Sequence, residues 1–147
     1  MRDTSMLRVV FDTNVLLRMA AGGRRSPLNR AWQQQQFSLL MSLTTLVEFR
    51  TVTARPQVQR YVPVSVSQAF LLLLETVSVI VQPDLTAPTC RDANDTGLIA
   101  TAVGGQADYL VTADRDRLDD PTLIHALAAR GVQVINTDAF LNLLHLH

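Results

Sequence analysis

With 147 residues, 48% of them hydrophobic, the chain is long enough to bury one sizeable core, and no shift in composition divides it. Its 13 basic residues are all Arg and its 13 acids cancel them, so any grip on nucleic acid comes from local Arg clusters. Cys90, the one cysteine, excludes an intramolecular disulfide framework and a Cys-rich zinc site and fits a reducing cytosol, while no apolar run is long enough to span a membrane.

Residues Met1 to Met6 lack the apolar core of a signal peptide and read as a short extension, with a single domain over residues 7–147. The stretch from Leu7 to Asn14 carries the run Val9, Val10 and Phe11, which ends abruptly in Asp12, Thr13 and Asn14; it reads as a fully buried strand of a parallel sheet. Val15, Leu16, Leu17 and Met19 suggest a helix, which Asp12 or Thr13 would cap. Gly22, Gly23, Arg24 and Arg25 form a loop, and Ser26 with Pro27 opens a helix through Trp32. A second strand is expected over Phe37 to Ser42, a helix over Thr44 to Val52 that is broken near Pro56, and a helix over Ser67 to Glu75. Leu71 to Leu74 make that last helix apolar nearly all round, which implies burial on two sides or a subunit contact. Val77 to Val81 reads as a third strand.

A polar loop through Pro88 and Asp92 leads to a helix starting near Asp95, with Leu98, Ile99, Ala102 and Val103 on one face and Gly104 and Gly105 at its end. Tyr109 to Thr112 is a fourth strand, ending in Ala113 and Asp114. Asp120 is an expected N-cap with Pro121 as first helical residue, Val132 to Ile135 is a fifth strand after Gly131, and Thr137 starts a last helix through Leu144. Strands alternating with helices, without hairpin signals, define an α/β chain with a parallel sheet covered on both faces. Arg24 with Arg25, and Arg115 with Arg117, read as solvated surface, and His125, His145 and His147 have no ligand spacing.

Strands of a parallel sheet end on one rim, where ligands bind in such folds, so Asp12 and Asp114 are candidates for a shared site. On neighbouring strands they would lie about 5 Å apart and repel by about 3 kcal/mol at an effective dielectric near 20. Such a cluster asks for a cation, and oxygen-only ligands favour Mg²⁺ or Mn²⁺ over zinc. Glu48, three residues after Thr45, has either a capping-box role or a place at the same rim. Asp95 lies where the dipole of its helix favours a negative charge. Asp12→Asn is expected to keep or raise metal-free stability by relieving repulsion, and a marked loss would instead indicate a cap.

The chain resembles the PIN domain family, and within it the toxin components of bacterial toxin-antitoxin pairs akin to VapC-type ribonucleases. The matching pieces are Val10 to Asn14, Thr45 to Glu48 followed by Ala54, Arg55 and Pro56, then Cys90 to Asp95, and finally Ala107 to Asp116. Four motifs in order, from about Leu7 to Leu144, make the likeness specific. It implies a three-layer α/β/α fold with a central parallel sheet of about five strands, an acidic metal pocket and cytoplasmic hydrolysis of RNA phosphodiester bonds. Carried over by position, the catalytic acids are Asp12, Glu48, Asp95 and Asp114, all metal ligands with Asp116 as an auxiliary, and Thr13, Asn14 and Thr112 are polar supports. The chain departs from the pattern at Thr96, where a second acid is often found, and at Ala93 and Ala113.

On this reading one or two Mg²⁺ or Mn²⁺ ions lower the pKa of a bound water for in-line attack on phosphorus. Backbone contacts to RNA would fall to Arg18, Arg24, Arg25, Arg50 or Arg115. The resemblance also implies a small antitoxin partner, and the Leu71–Leu74 and Leu141, Leu143, Leu144 and Leu146 positions offer a homodimer contact that core packing explains equally well. Two rivals stand beside it. A phosphoryl-accepting receiver domain shares an acid after strand one but would want a second Asp close by and a Lys, and the chain has no Lys. A weak or inactive PIN domain acting as a binding or regulatory protein is favoured by Thr96.

Overall fold

Side chains alternate across each strand, and in this protein both sides are apolar. The structure, a computed structural model, describes residues 6–88 and 95–146, with the backbone alone at 115, 116 and 146. Its strands are β1 (Arg8–Phe11), β2 (Ser38–Met41), β3 (Val79–Ile80), β4 (Tyr109–Val111) and β5 (Gln133–Ile135). Val9, Phe11, Leu39, Met41 and Val111 enter one core cluster, while Val10, Leu40, Leu110 and Val134 enter a second on the opposite face. Burial on both faces is the reason the strands read as unbroken apolar runs.

Helices supply the two outer layers. The first cluster takes side chains from α1 (Thr13–Gly22), α2 (Pro27–Gln33), α3 (Leu43–Thr53), α5 (Val64–Val77) and α9 (Thr137–Leu146), with the short α4 (Pro56–Gln59) between α3 and α5. The second takes them from α6 (Thr96–Gly104) and α8 (Pro121–Ala128), preceded by the short α7 (Arg115–Leu118). In the first layer Phe11, Phe37 and Phe140 meet edge to face with ring centroids 5.1 to 5.8 Å apart. This is the expected three-layer α/β/α fold.

Every pairing is parallel, in the order β3-β2-β1-β4-β5. The chain starts in the middle, moves outward through β2 and β3, and then crosses back to place β4 on the other side of β1. The order therefore reverses between β1 and β4, and a crevice opens at their carboxyl ends, where open α/β sheets bind ligands.

Several boundaries differ from those the sequence implies. Helix α5 begins at Val64 and runs to Val77, which shortens the expected third strand to Val79 and Ile80. Its Leu71–Leu74 segment buries one face: Leu74 is fully buried and Leu72 is 60% exposed. Pro56 opens α4 as its first residue. Ser26 and Asp120 cap α2 and α8 as expected, each followed by proline. The extension at residues 1–5 and Cys90, Asp92 and Ala93 lie outside the described residues. Among those described, no helix is long and apolar enough to cross a membrane.

Gly104 sets the seat of α6. A Cβ there would come within 2.0 Å of the Gln82 carbonyl oxygen and 2.7 Å of the Asp84 nitrogen, so the helix end is pressed against the backbone leaving β3. The same helix carries Asp95 at its opposite end. Gly104→Ala should cost about 1–3 kcal/mol through overpacking, read as a lower urea midpoint at unchanged slope.

Candidate active site

At the crevice between β1 and β4 the rim residues line a pocket of about 590 Å³. Asp12, Glu48, Asp95 and Asp114 all face it, arriving from four separate segments. Thr13 and Asn14 line it from the first turn of α1, and Arg55 and Arg117 are its cationic members.

Asp12 follows β1 directly and is almost fully buried. It both caps α1 and lines the pocket. Its Oδ1 accepts the Val15 N–H at 2.8 Å and so caps α1, while Oδ2 accepts the Ala113 N–H at 3.1 Å, Arg117 Nη1 at 3.3 Å and the Thr112 hydroxyl. Register explains the last contact. Phe11 pairs with Val111, so Thr112, and not Asp114, stands opposite Asp12; the expected face-to-face pair of acids is offset by two residues. The Thr112 hydroxyl in turn accepts the Asp114 N–H at 2.9 Å and Arg117 Nη1 at 3.3 Å, using its donor and both lone pairs.

Glu48 is not part of a capping box. The cap of α3 is Ser42, whose hydroxyl accepts the Thr45 N–H at 3.3 Å while the Thr45 hydroxyl accepts the Ser42 N–H at 2.8 Å. Glu48 thus sits on the second turn of α3, half-buried, with Thr13 as its hydrogen-bond partner. Burial pushes its pKa above the ordinary 4.5; the Thr13 hydroxyl and Arg117 oppose the rise, and the charges of Asp95 and Asp12 add to it.

Asp95 occupies the N-cap position of α6 without a side-chain capping bond. Its carboxylate accepts Arg117 Nη2 at 2.5 Å. Arg117 was expected at the solvated surface; instead it is 7% exposed and links Asp12 to Asp95 through the pocket wall. Its burial follows from residues far away in the chain, which no local pattern reveals, although a position three residues past Asp114 on a helical turn does place it on the same side.

Of the arginines expected at RNA, those with described side chains lie outside the acidic pocket. Arg18 and Arg25 line a separate cavity with Leu28 and Leu141, Arg24 is exposed, and Arg50 pairs with Glu75 at 3.5 Å in a third groove. The side chains of Arg115 and Asp116 lie outside the described residues. Arg55, within one of the motifs, is the exposed cation that lines the acidic pocket among the described residues.

Oxygen-only donors match a hard divalent ion, so the chemistry of the donor set, Asp12, Glu48, Asp95 and Asp114, fits Mg²⁺ or Mn²⁺. In the arrangement described, no three Asp, Glu, His or Cys side chains among the described residues stand close enough to share an ion. Two of the acids are engaged by Arg117.

A parallel α/β sheet with a pocket at its reversal point places the chain among the doubly wound α/β folds. The family model for the PIN domain matches residues 8–116, and the chain belongs to that family. Among solved structures, a chain of VapBC2 from Rickettsia felis, bound to a DNA fragment from their promoter, is similar with a TM-score of 0.57 at 14% identity, covering 88% of this chain and 98% of that one. No curated protein matches the sequence.

Two outcomes test this geometry. Asp12→Asn should lose about 3 kcal/mol of metal-free stability, because a buried pair is broken and a cap weakened; this reverses the expectation from sequence, and chemical denaturation reads it. For Glu48, a pKa raised on folding contributes stability that is fully present below the ordinary value and is lost as pH rises through the raised one. Glu48→Gln removes that loss, so its metal-free melting temperature should match wild type near about pH 4 and exceed it at neutral pH.

Proposed function

We propose that the protein is a metal-dependent endoribonuclease that hydrolyses RNA phosphodiester bonds as the toxin of a toxin-antitoxin pair. The observation that carries this reading is the meeting of Asp12, Glu48, Asp95 and Asp114 in one pocket at the sheet's reversal point. These four would hold Mg²⁺ or Mn²⁺, with Asp116 as auxiliary. The bound ion supplies an acidified water and neutralises charge on the approaching phosphate.

The chain's own residues do the rest. Thr13 orients the Glu48 carboxylate, which would complete the ion's shell or orient the attacking water. Thr112 and the Ala113 N–H fix Asp12, so the site's innermost oxygen does not reorganise during the reaction. Arg55, exposed and lining the pocket, would contact the RNA backbone. An antitoxin partner is supported by the likeness to a chain of the VapBC2 assembly.

A second reading, a weak or inactive PIN domain that regulates a partner, is favoured by the Arg117 pairs with Asp12 and Asp95. An RNA panel with and without Mn²⁺ separates the two. Cleavage should require Mn²⁺ or Mg²⁺, stop on chelation, and fall at least roughly 100-fold in Glu48→Gln and Asp95→Asn. Cleavage that survives both substitutions overturns the ligand assignment, and a folded wild type without cleavage of any RNA favours the regulatory reading.

A further inference from the structure

Arginine at 117 is an unusual occupant for a pocket of acids that is to receive a divalent ion. Its side chain is 6% exposed, and its Nη groups engage Asp12 at 3.3 Å, Thr112 at 3.3 Å and Asp95 at 2.5 Å. Its Nε–H is buried without a hydrogen-bond partner among the described residues. Buried donors are nearly always satisfied, so an orphan one calls for an explanation beyond packing. The guanidinium is carried on α7, a helix of four residues, and a short helix is anchored by few backbone hydrogen bonds of its own.

We propose that Arg117 is a resident counter-ion of the acidic pocket: it holds the two carboxylates, Asp12 and Asp95, that an incoming divalent ion needs, and must release them before the ion is bound. The pocket thereby switches between an arginine-paired state and an ion-bound state. In the first, one positive charge offsets two acids; in the second, the ion takes over that role and the guanidinium leaves them. Arg117 is a positioning residue in this scheme and its pairing makes the ion-binding state harder to reach. The inference rests on the pocket being an ion site, as in the reading above.

The test compares wild type with Arg117→Met, which keeps the apolar stem and deletes the charge, by calorimetric titration with Mn²⁺ and by melting with and without it. Arg117→Met is expected to melt lower without metal, to bind Mn²⁺ at least tenfold more tightly (about 1.4 kcal/mol), and to gain more in melting temperature from the ion than wild type does. Equal affinities in the two proteins overturn the counter-ion role and leave the ion site standing; no binding by either overturns the ion site itself. Should Arg117→Met fail to fold, ¹⁵N-labelled wild type titrated with Mg²⁺ decides. The Val15 and Ala113 amides, both bonded to Asp12, report arrival of the ion. The Arg117 Nε–H signal should shift and lose protection in step with them, and an unmoved signal while those amides shift overturns the proposal.

Discussion

The constraint on which the molecule depends is that Asp12, a charge removed from water, has to be met by enough donors to be tolerated. An ionised carboxylate without partners costs far more to bury than any single contact returns. Four donors meet it: the first turn of α1, the turn after β4, the Thr112 hydroxyl and a guanidinium from α7. Those donors come from both sides of the sheet's reversal point, so satisfying one side chain also fixes where α1 leaves β1 and how β4 ends beside it. The local structure of the site and the topology of the sheet are thus solved by the same group of bonds.

Around that centre, burial first and like charges second set the electrostatics. Glu48 lies in a half-buried position near Asp95 and Asp12, and its carboxyl is harder to ionise as a result. Arg117 relieves part of the repulsion, and Arg55 contributes a second cation at the solvent side. A chain whose charges sum to zero therefore brings four acids and two arginines into one pocket. The polarity of the pocket is a product of folding and not of composition.

Much of the architecture is legible in the sequence because parallel strands buried on both faces announce themselves as short apolar runs, and capped helices such as α2 and α8 carry their Ser-Pro and Asp-Pro openings. The four acids were legible because each follows a strand or starts near a helix at the strands' carboxyl ends. What was not legible depended on competition or on distance along the chain. Two hydroxyl residues, Ser42 and Thr45, both offer themselves as caps of α3, and the Thr45 side chain completes the box that seemed to need Glu48. The register that sets Thr112 beside Asp12, and the ion pair that ties Arg117 to Asp12, join positions about a hundred residues apart. Arg18, Arg25 and Arg50 carry the right charge for RNA, but which groove each one reaches is decided by how the helices pack.

The sheet's two margins have a consequence of their own. Only Val79 and Ile80 form β3, both exposed, and β5 contributes three residues with Gln133 outermost in burial. An open border of backbone N–H and C=O groups is a template onto which another molecule's strand can add, leading to fibrous or amorphous self-association. Here the template is two residues long on one side and three on the other. Brevity of the outer strands limits such runaway stacking even though the side chains at the β3 border are greasy.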